Sequence, residues 1–351
     1  MGGAAAHGCR ADRARGRRTA RAGRDQRYEQ SRAPRPDQGR LRGAGRARRP
    51  ARSRAAGRGD AGDRAPDGTD RGARSVAVSA VLLAVDGDSL AHRAYHALPK
   101  NLQRAGGGPS NALVGFSNML IRLWERERPD AVLVAWDTLT VPTYRHEALP
   151  AYQSGREFDD ALLEQLDLLP GLVESFGFAC AKAPGYEADD FLAAAARAWP
   201  GPVLIATSDR DAFQLAADRV TILQPTKGVS EVARVGPAEV RERYGVEPEQ
   251  VPDFVALRGD PSDRIPGARG VGPKKAADVL REYGTLEAAL AAGRFAAEAE
   301  DLRLFRRIAT MDASAPLPPL AQQTPTWAEA SSRARELGLG QLAGRLAALG
   351  G

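Results

Sequence analysis

Pro184-Gly185-Tyr186-Glu187-Ala188-Asp189-Asp190-Phe191-Leu192-Ala193 puts three carboxylates within four residues, directly ahead of an apolar, Ala-rich run that reads as a helix. Like charges that close repel one another, so ionising all three takes full solvation or a cation. The guest that suits such a site is a hard, oxygen-seeking divalent ion such as Mg²⁺ or Mn²⁺. A plainer reading stands beside it, because Asp and Glu complement the positive end of any helix in its first turn. On a regular helix, positions two residues apart point about 200° away from each other. Glu187 and Asp189 therefore share an ion only if Glu187 lies at or before the cap. The choice rests on whether other parts of the chain send acids to the same place.

They do. Val81-Leu82-Leu83-Ala84-Val85 is a short continuous apolar run, as expected of a buried parallel strand, and it ends at Asp86-Gly87-Asp88. Ala131 to Trp136 is a second such run and ends at Asp137. Phe178 to Ala181 leads into the quoted stretch, Val203 to Thr207 ends at Ser208-Asp209-Arg210-Asp211, and Val220 to Leu223 is a further strand. Helix-length segments separate them, among them one with Leu113, Phe116, Leu120 and Leu123 on one face and one with Leu162, Leu163, Leu166, Leu169 and Val173. That alternation predicts an α/β fold, a parallel sheet with helices on both faces. Ligands of such sheets gather beyond the carboxyl ends of the strands, where Asp86, Asp137 and Asp209 sit and where Glu187 and Asp189 follow a strand.

From about residue 237 the pattern changes to short helices: Pro237 to Tyr244, Pro252 to Leu257, Pro273 to Tyr283, Leu286 to Ala291 and Leu302 to Ile308. Between the second and third, Gly259-Asp260-Pro261-Ser262-Asp263-Arg264 sets two more acids one turn apart, able to point the same way. Gly270-Val271-Gly272 allows a tight turn with exposed backbone N–H groups, and Pro273 suits the first position of a helix. With Lys274 and Lys275 in its first turn, that helix start is a site for a backbone phosphate. Residues 312–326 are Pro-rich, and the chain from Thr326 on reads as two short amphipathic helices packed on the body.

The charge is unevenly spread. Residues 1–75 carry 21 Arg, no Lys and 8 acids, a net of +13, whereas residues 76–351 carry 29 basic against 36 acidic residues. The first 75 residues hold Met1 and Leu41 as their large aliphatic side chains and Tyr28 as their sole aromatic, too little to offset the entropy of ordering them. Disorder is expected there, as a nucleic-acid-binding tail, a targeting peptide or, the preferred reading, GC-rich DNA read from too early a start. The two cysteines, Cys9 and Cys180, lie in regions of different character, so no disulfide framework is expected and a reducing cytoplasm fits. No run is apolar and long enough for a membrane span.

The motifs Val85-Asp86-Gly87, Trp136-Asp137, Gly185-Tyr186-Glu187-Ala188-Asp189-Asp190, Thr207-Ser208-Asp209-Arg210-Asp211 and Gly259-Asp260-Pro261-Ser262-Asp263, with the Gly270 hairpin, resemble the bacterial 5′→3′ exonuclease family from about 81 to 310. The resemblance implies a PIN-like nuclease domain at 78–247 with a helical arch at about 138–176. It further implies a helix–three-turn–helix DNA-binding domain at 248–311, followed by a linker and C-terminal helices at 312–351, with residues 1–77 as an extension. It implies one Mg²⁺ or Mn²⁺ on Asp86, Asp137, Glu187 and Asp189, and a second on Asp209, Asp211, Asp260 and Asp263, with Asp190 in support. Arg145 and Arg156 would be the arch cations, Tyr152 a base contact, and Gly270, Gly272, Lys274 and Lys275 the duplex contacts beside a K⁺ ion. The implied partner is DNA with 5′ ends, flaps or nicks, and RNA–DNA hybrids, met by a stand-alone monomeric, nucleoid-associated enzyme that has no membrane association. Two positions depart from the family pattern: Gln153 where Lys is common, and Arg264 where Asn is usual.

Independently of the resemblance, two ions roughly 4 Å apart suit phosphodiester hydrolysis, one activating water and the other stabilising the leaving oxygen. Plainer readings remain for several residues. Asp88 reads as a helix N-cap, Tyr152 and Tyr186 as packing, and His92, His96 and His146 lack zinc spacing. A binding-only protein of the same fold is the competing function. A phosphatase reading of Asp86-Gly87-Asp88 leaves Asp260, Asp263 and the phosphate-binding turn unexplained.

Overall fold

The computed structural model describes residues 79–227 and 231–351, all within one compact unit, Ala73–Gly351. The Arg-rich extension and the readings attached to it lie outside the described residues.

Chain order runs β1 (Leu82–Asp86), α1 (Gly87–Ala97), α2 (Asn111–Glu127), β2 (Ala131–Ala135), α3 (Tyr144–Ala148), α4 (Asp160–Glu174), β3 (Ala179–Ala181), α5 (Ala188–Ala198), β4 (Val203–Ala206), β5 (Val220–Lys227) and β6 (Glu231–Val235). The strands form one sheet in the order β3-β2-β1-β4-β5-β6, parallel except for β6, which runs antiparallel to β5. The expected parallel α/β sheet is therefore present. The edge hairpin is an addition, since Glu231-Val232-Ala233-Arg234-Val235 is half-exposed and carries charge, as edge strands do.

The central strand β1 shows why both faces are covered. Leu82 and Ala84 belong to one core and Leu83 and Val85 to the other, as the two-residue period of a strand requires. On one side lie α1, α2 and α4. On the other, the Ala-rich α5 lets the helix sit close to the sheet, with Phe191 and Leu192 fully buried. That same core continues into α6 (Pro237–Tyr244), α7 (Val251–Arg258), α8 (Pro273–Tyr283), α9 (Leu286–Ala291) and α10 (Ala299–Ala309).

α4 corrects the expected extent of the arch. Leu162, Leu166, Leu169, Leu172 and Val173 are buried in the core shared with α1 and α2, so only about 138–159 lies over the strand ends. The 312–326 stretch is also more than a spacer. The Gln323 carboxamide oxygen accepts the Val132 N–H at 2.9 Å, and the Gln323 N–H donates to the Asp130 carbonyl at 2.8 Å. The expected terminal helices, α11 (Trp327–Glu336) and α12 (Gly340–Leu349), pack behind α2 and α4. Trp327 meets Trp124, Phe176 and Phe178 with ring centroids 4.9, 5.8 and 5.9 Å away, each edge-on pair adding about 0.5–1.5 kcal/mol beyond burial.

Candidate metal and nucleic-acid site

Glu187 is the N-cap residue of α5, in extended conformation with φ −104° and ψ 163°, as the sharing of an ion with Asp189 demands. Its backbone N–H donates to Asp190 Oδ2 at 3.1 Å. The next N–H, that of Ala188, donates to Asp137 Oδ1 at 2.7 Å, so a carboxylate from the end of β2 sits on the positive end of α5. The Glu187 carboxylate accepts from the Thr143 hydroxyl at 3.0 Å and from the Tyr152 hydroxyl at 3.1 Å.

The strand exits are wired together in the same way. Asp86, rather than Asp88, caps α1, accepting the Ser89 N–H at 2.9 Å on Oδ1. Its Oδ2 accepts the Thr207 hydroxyl at 2.7 Å, and Thr207 Oγ1 in turn accepts the Asp209 N–H at 3.0 Å. Asp209 Oδ1 accepts the Asp211 N–H at 2.8 Å. Asp88 corrects its N-cap reading: buried in the first turn of α1, it accepts the Asp137 N–H at 2.7 Å and fixes the β2 exit. Thr207 and Asp88, which the motifs include without this role, and Ser89 and Thr143, which they omit, hold the acids and the strand exits in place. For Thr207 the signal is register, since Val85 pairs with Ala206 and the next residues, Asp86 and Thr207, fall side by side.

Asp86, Asp137, Glu187, Asp189 and Asp209 line one cavity of about 280 Å³. Burial pushes the Asp86 carboxyl up to about 7, with the Thr207 bond pulling it down and Asp137 and Asp209 adding to the rise. Asp137 and Glu187 are raised for the same first reason, and Asp189 and Asp211 lie well above the usual carboxylate range, through burial and then the charge of Asp209. Asp189 Oδ1 is buried with no hydrogen-bond partner. An orphaned, buried oxygen among acids that repel one another fits a hard divalent cation. Among the described residues no three of these side chains close into a ready-made cage. They share a wall, and Asp86, Asp137, Glu187 and Asp209 each accept from a local donor while Asp189 Oδ1 does not.

A second, wider cavity of about 900 Å³ opens between the β4 exit and the α7–α8 region, and Asp209, Asp211 and Asp260 face it together with Lys274, Arg210 and Arg281. Asp209 lines both cavities. Gly259, at φ +77°, lets the loop after α7 double back, because a Cβ there would stand 2.7 Å from the Pro266 carbonyl oxygen. Asp260 and Ile265 then exchange backbone hydrogen bonds of 2.8 Å each way. Within this turn the two acids part: Asp260 takes the Arg258 guanidinium at 3.0 Å, while Asp263 Oδ1 takes Gln153 Nε2 at 3.1 Å and Arg156 Nη2 at 2.9 Å. Burial, then Asp209, raise Asp263 to about 6. Gly270 adopts φ +68° and Gly272 caps α8, leaving its first N–H groups without a side-chain cap. Lys274 faces the wide cavity, whereas Lys275 Nζ donates to the Gly270 carbonyl at 2.9 Å.

Two arch expectations are corrected. Arg145 is no substrate-facing cation: it is 3 % exposed, clamps Asp190 through two bonds of 2.8 and 2.7 Å, and donates through Nε to the Ile308 carbonyl at 3.0 Å. Tyr152 offers no face to a base, being 4 % exposed with its hydroxyl committed to Glu187. Both are held inward because the α5 acids attract a buried donor more strongly than solvent does. Arg156 remains at the edge of the carboxylate cavity, and Asp190 stands behind it, fully buried.

Residues 81–245 match the family described as 5′-3′ exonuclease, N-terminal resolvase-like domain, and residues 246–329 match 5′-3′ exonuclease, C-terminal SAM fold. DNA polymerase I of Mycobacterium tuberculosis is 44 % identical over 210 residues, covering 58 % of this chain and 23 % of that protein. The thermostable DNA polymerase I of Thermus thermophilus is 39 % identical over 250 residues, covering 67 % of this chain and 29 % of that protein. The chain thus spans about a quarter of the length of these relatives. Among solved structures, the T5 5′-exonuclease with bound divalent metal ions (zinc) superposes with TM-score 0.55 at 18 % identity, covering 76 % of this chain and 98 % of that one. The catalytic core of Rad2 in complex with DNA substrate gives 0.52 at 17 %, covering 77 % and 92 %, and both show a shared fold.

Proposed function

This chain belongs to the 5′-3′ exonuclease family, and on that premise we propose that it is a metal-dependent 5′→3′ exonuclease and 5′-flap endonuclease acting on DNA, RNA–DNA hybrids included. The observation that carries the reading is Asp209, which faces a pocket of buried acids on one side and, on the other, a wider cleft of about 900 Å³ where acids meet the cations Arg210, Arg243, Arg258, Lys274 and Arg281.

Asp86, Asp137, Glu187 and Asp189 would hold one Mg²⁺ or Mn²⁺, and Asp209, Asp211, Asp260 and Asp263 a second. When bound, such ions supply water activation and stabilisation of the leaving oxygen. The chain's own residues do the rest. Asp190, Thr207 and Asp88 fix the acids before substrate arrives, which removes reorganisation from the reaction. Arg156, anchored on Asp263, presents a cation where the phosphate must lie. The α8 N-terminus with Lys274 receives a backbone phosphate farther along the duplex. Lys275 already supplies a cation to the Gly270 carbonyl, so a K⁺ ion at that carbonyl requires it to move. A monomeric enzyme at the nucleoid is consistent with this reading. Among the described residues, no helix is long and apolar enough to cross a membrane.

The test is release of short products from a 5′-labelled flap duplex with Mg²⁺ and with EDTA. Asp209→Ala should abolish cleavage and spare binding. Wild-type rates in that variant would overturn the site assignment, and wild-type protein that binds the flap without cutting it would establish the binding-only reading.

A further inference from the structure

Helix α10 finishes against both groups of acids, and the manner in which its end is satisfied joins them. An α-helix leaves its last C=O groups without partners of its own. Here side chains from two directions take them: the Ile308 carbonyl accepts Arg145 Nε at 3.0 Å, and the Ala309 carbonyl accepts Gln214 Nε2 at 3.0 Å. The chain then continues extended, with Thr310 at φ −82° and ψ 125°. Successive residues of an extended segment face opposite ways. The Thr310 carbonyl accepts the Tyr144 hydroxyl at 3.2 Å, and the Asp312 N–H donates to Asp190 Oδ1 at 2.8 Å. Met311, between them, turns the other way and donates its N–H to Gln214 Oε1 at 3.0 Å. Residues 308, 310 and 312 are thus gripped by the arch and α5, and residues 309 and 311 by Gln214.

Gln214 stands half-buried on the short 3₁₀ helix Asp211–Leu215, whose first residue is one of the acids of the wide cleft. A carboxamide has two donor hydrogens and one acceptor oxygen, and here all have partners. Besides Ala309 and Met311, the Gln214 amide reaches the Asp211 carbonyl, Nε2 donating at 2.9 Å. The Asp211 N–H already rests on Asp209 Oδ1, so both polar groups of its backbone are fixed. We propose that Gln214 is the positioning residue of the second group of acids, holding Asp211 in register with Asp190 through the segment 308–312. The proposal rests on the two-ion reading above and adds to it what keeps the second ion site in place. Hydrogen bonds behind metal ligands are worth about 10–100-fold in metal affinity, and three of them here converge on one neutral side chain.

The variant Gln214→Met keeps the length of the side chain and removes all three hydrogen bonds. Mn²⁺ binding to the DNA-free protein is followed by electron paramagnetic resonance, beside Gln323→Ala, which frees the distant tail contact on Val132. Of the two Mn²⁺ dissociation constants of the wild type, one should rise about tenfold in Gln214→Met and the other should not move. Gln323→Ala should lower Tm and leave both constants alone, which separates positioning from a general loss of stability. Single-turnover cleavage of a saturating flap by Gln214→Met should need about tenfold more Mg²⁺ for half its full rate, with flap affinity in Ca²⁺ unchanged. Unchanged constants, an equal loss at both ions, or the same shift in Gln323→Ala overturn the role of Gln214. Wild-type protein that takes up a single Mn²⁺ overturns the two-ion reading and the proposal together. If wild type binds both ions and never cuts, the nuclease reading alone falls, and the Mn²⁺ constants still decide for or against Gln214.

Discussion

Asp190 accepts two hydrogen bonds from Arg145, one from the Glu187 backbone and one, at 2.8 Å, from the backbone of Asp312. It is 0 % exposed, and its partner Arg145 is nearly so. Taking the charge from one member of a buried pair leaves the other without compensation, at a cost of about 3–5 kcal/mol. Asp190→Asn should therefore lower unfolding stability in urea by about 3–5 kcal/mol, Glu187 at 3.5 Å from Arg145 being a partial substitute. A loss below about 1 kcal/mol would mean that the pair is dispensable. At this scale the acids were legible and their neighbours were not. Glu187 could be put at the cap because helix geometry allowed nothing else. Arg145 and Tyr152 were misread because a sequence records a cation or a ring without saying which way it faces. Only the burial of the α5 acids turns both inward.

Among the elements, α6 and α8 were readable to the residue. Each opens with proline, at Pro237 and Pro273, and each is followed by glycine, at Gly245 and Gly284, so punctuation marked both ends. α4 had an equally clear apolar stripe, yet a stripe does not name what it packs against, and the arch was drawn too long. For β6 there was no period to read, because a charged edge strand has only one neighbour to satisfy. The element that carries the binding argument is α8. Gly272 has no side chain to cap it, so its leading N–H groups and Lys274 are left for an anion. Lys274→Ala should weaken flap binding alike across sequences and reduce the slope of log K against log salt by about 1. An unchanged slope in fluorescence anisotropy titrations would remove Lys274 from the phosphate contacts.

On the scale of the whole molecule, the strands and the acids at their exits were legible because each apolar run ends in the residue that matters. The way the tail closes the structure was not. Gln323 on Val132 and Trp327 on the far face are contacts across about half the chain that leave no periodic trace. What the fold does as a unit is bury acids at one end of a sheet, and this has a consequence for its stability. Burial raises Asp86 to about 7 and Asp263 to about 6, and raises Asp137, Glu187, Asp189 and Asp211 as well. Carboxyls held above their unfolded values bind more protons in the native state, so stability is highest below about pH 4 as far as they are concerned and falls as pH climbs through 7. Asp88 and Asp253, also raised by burial, act in the same direction, and His92, lowered from 6.5 by burial, works the other way below that value. In EDTA, Tm should thus drop by about 5–10 °C between pH 5 and pH 8. Cations that bind the ionised acids oppose the drop, so Mg²⁺ should reduce it, bind more tightly as pH rises and release protons on binding. Scanning calorimetry at both pH values, with titrations in two buffers of different ionisation heat, reads all three. A flat Tm in EDTA, or a binding heat that does not depend on the buffer, would show that these acids are already ionised and paired, and that the cluster stores no demand for a cation.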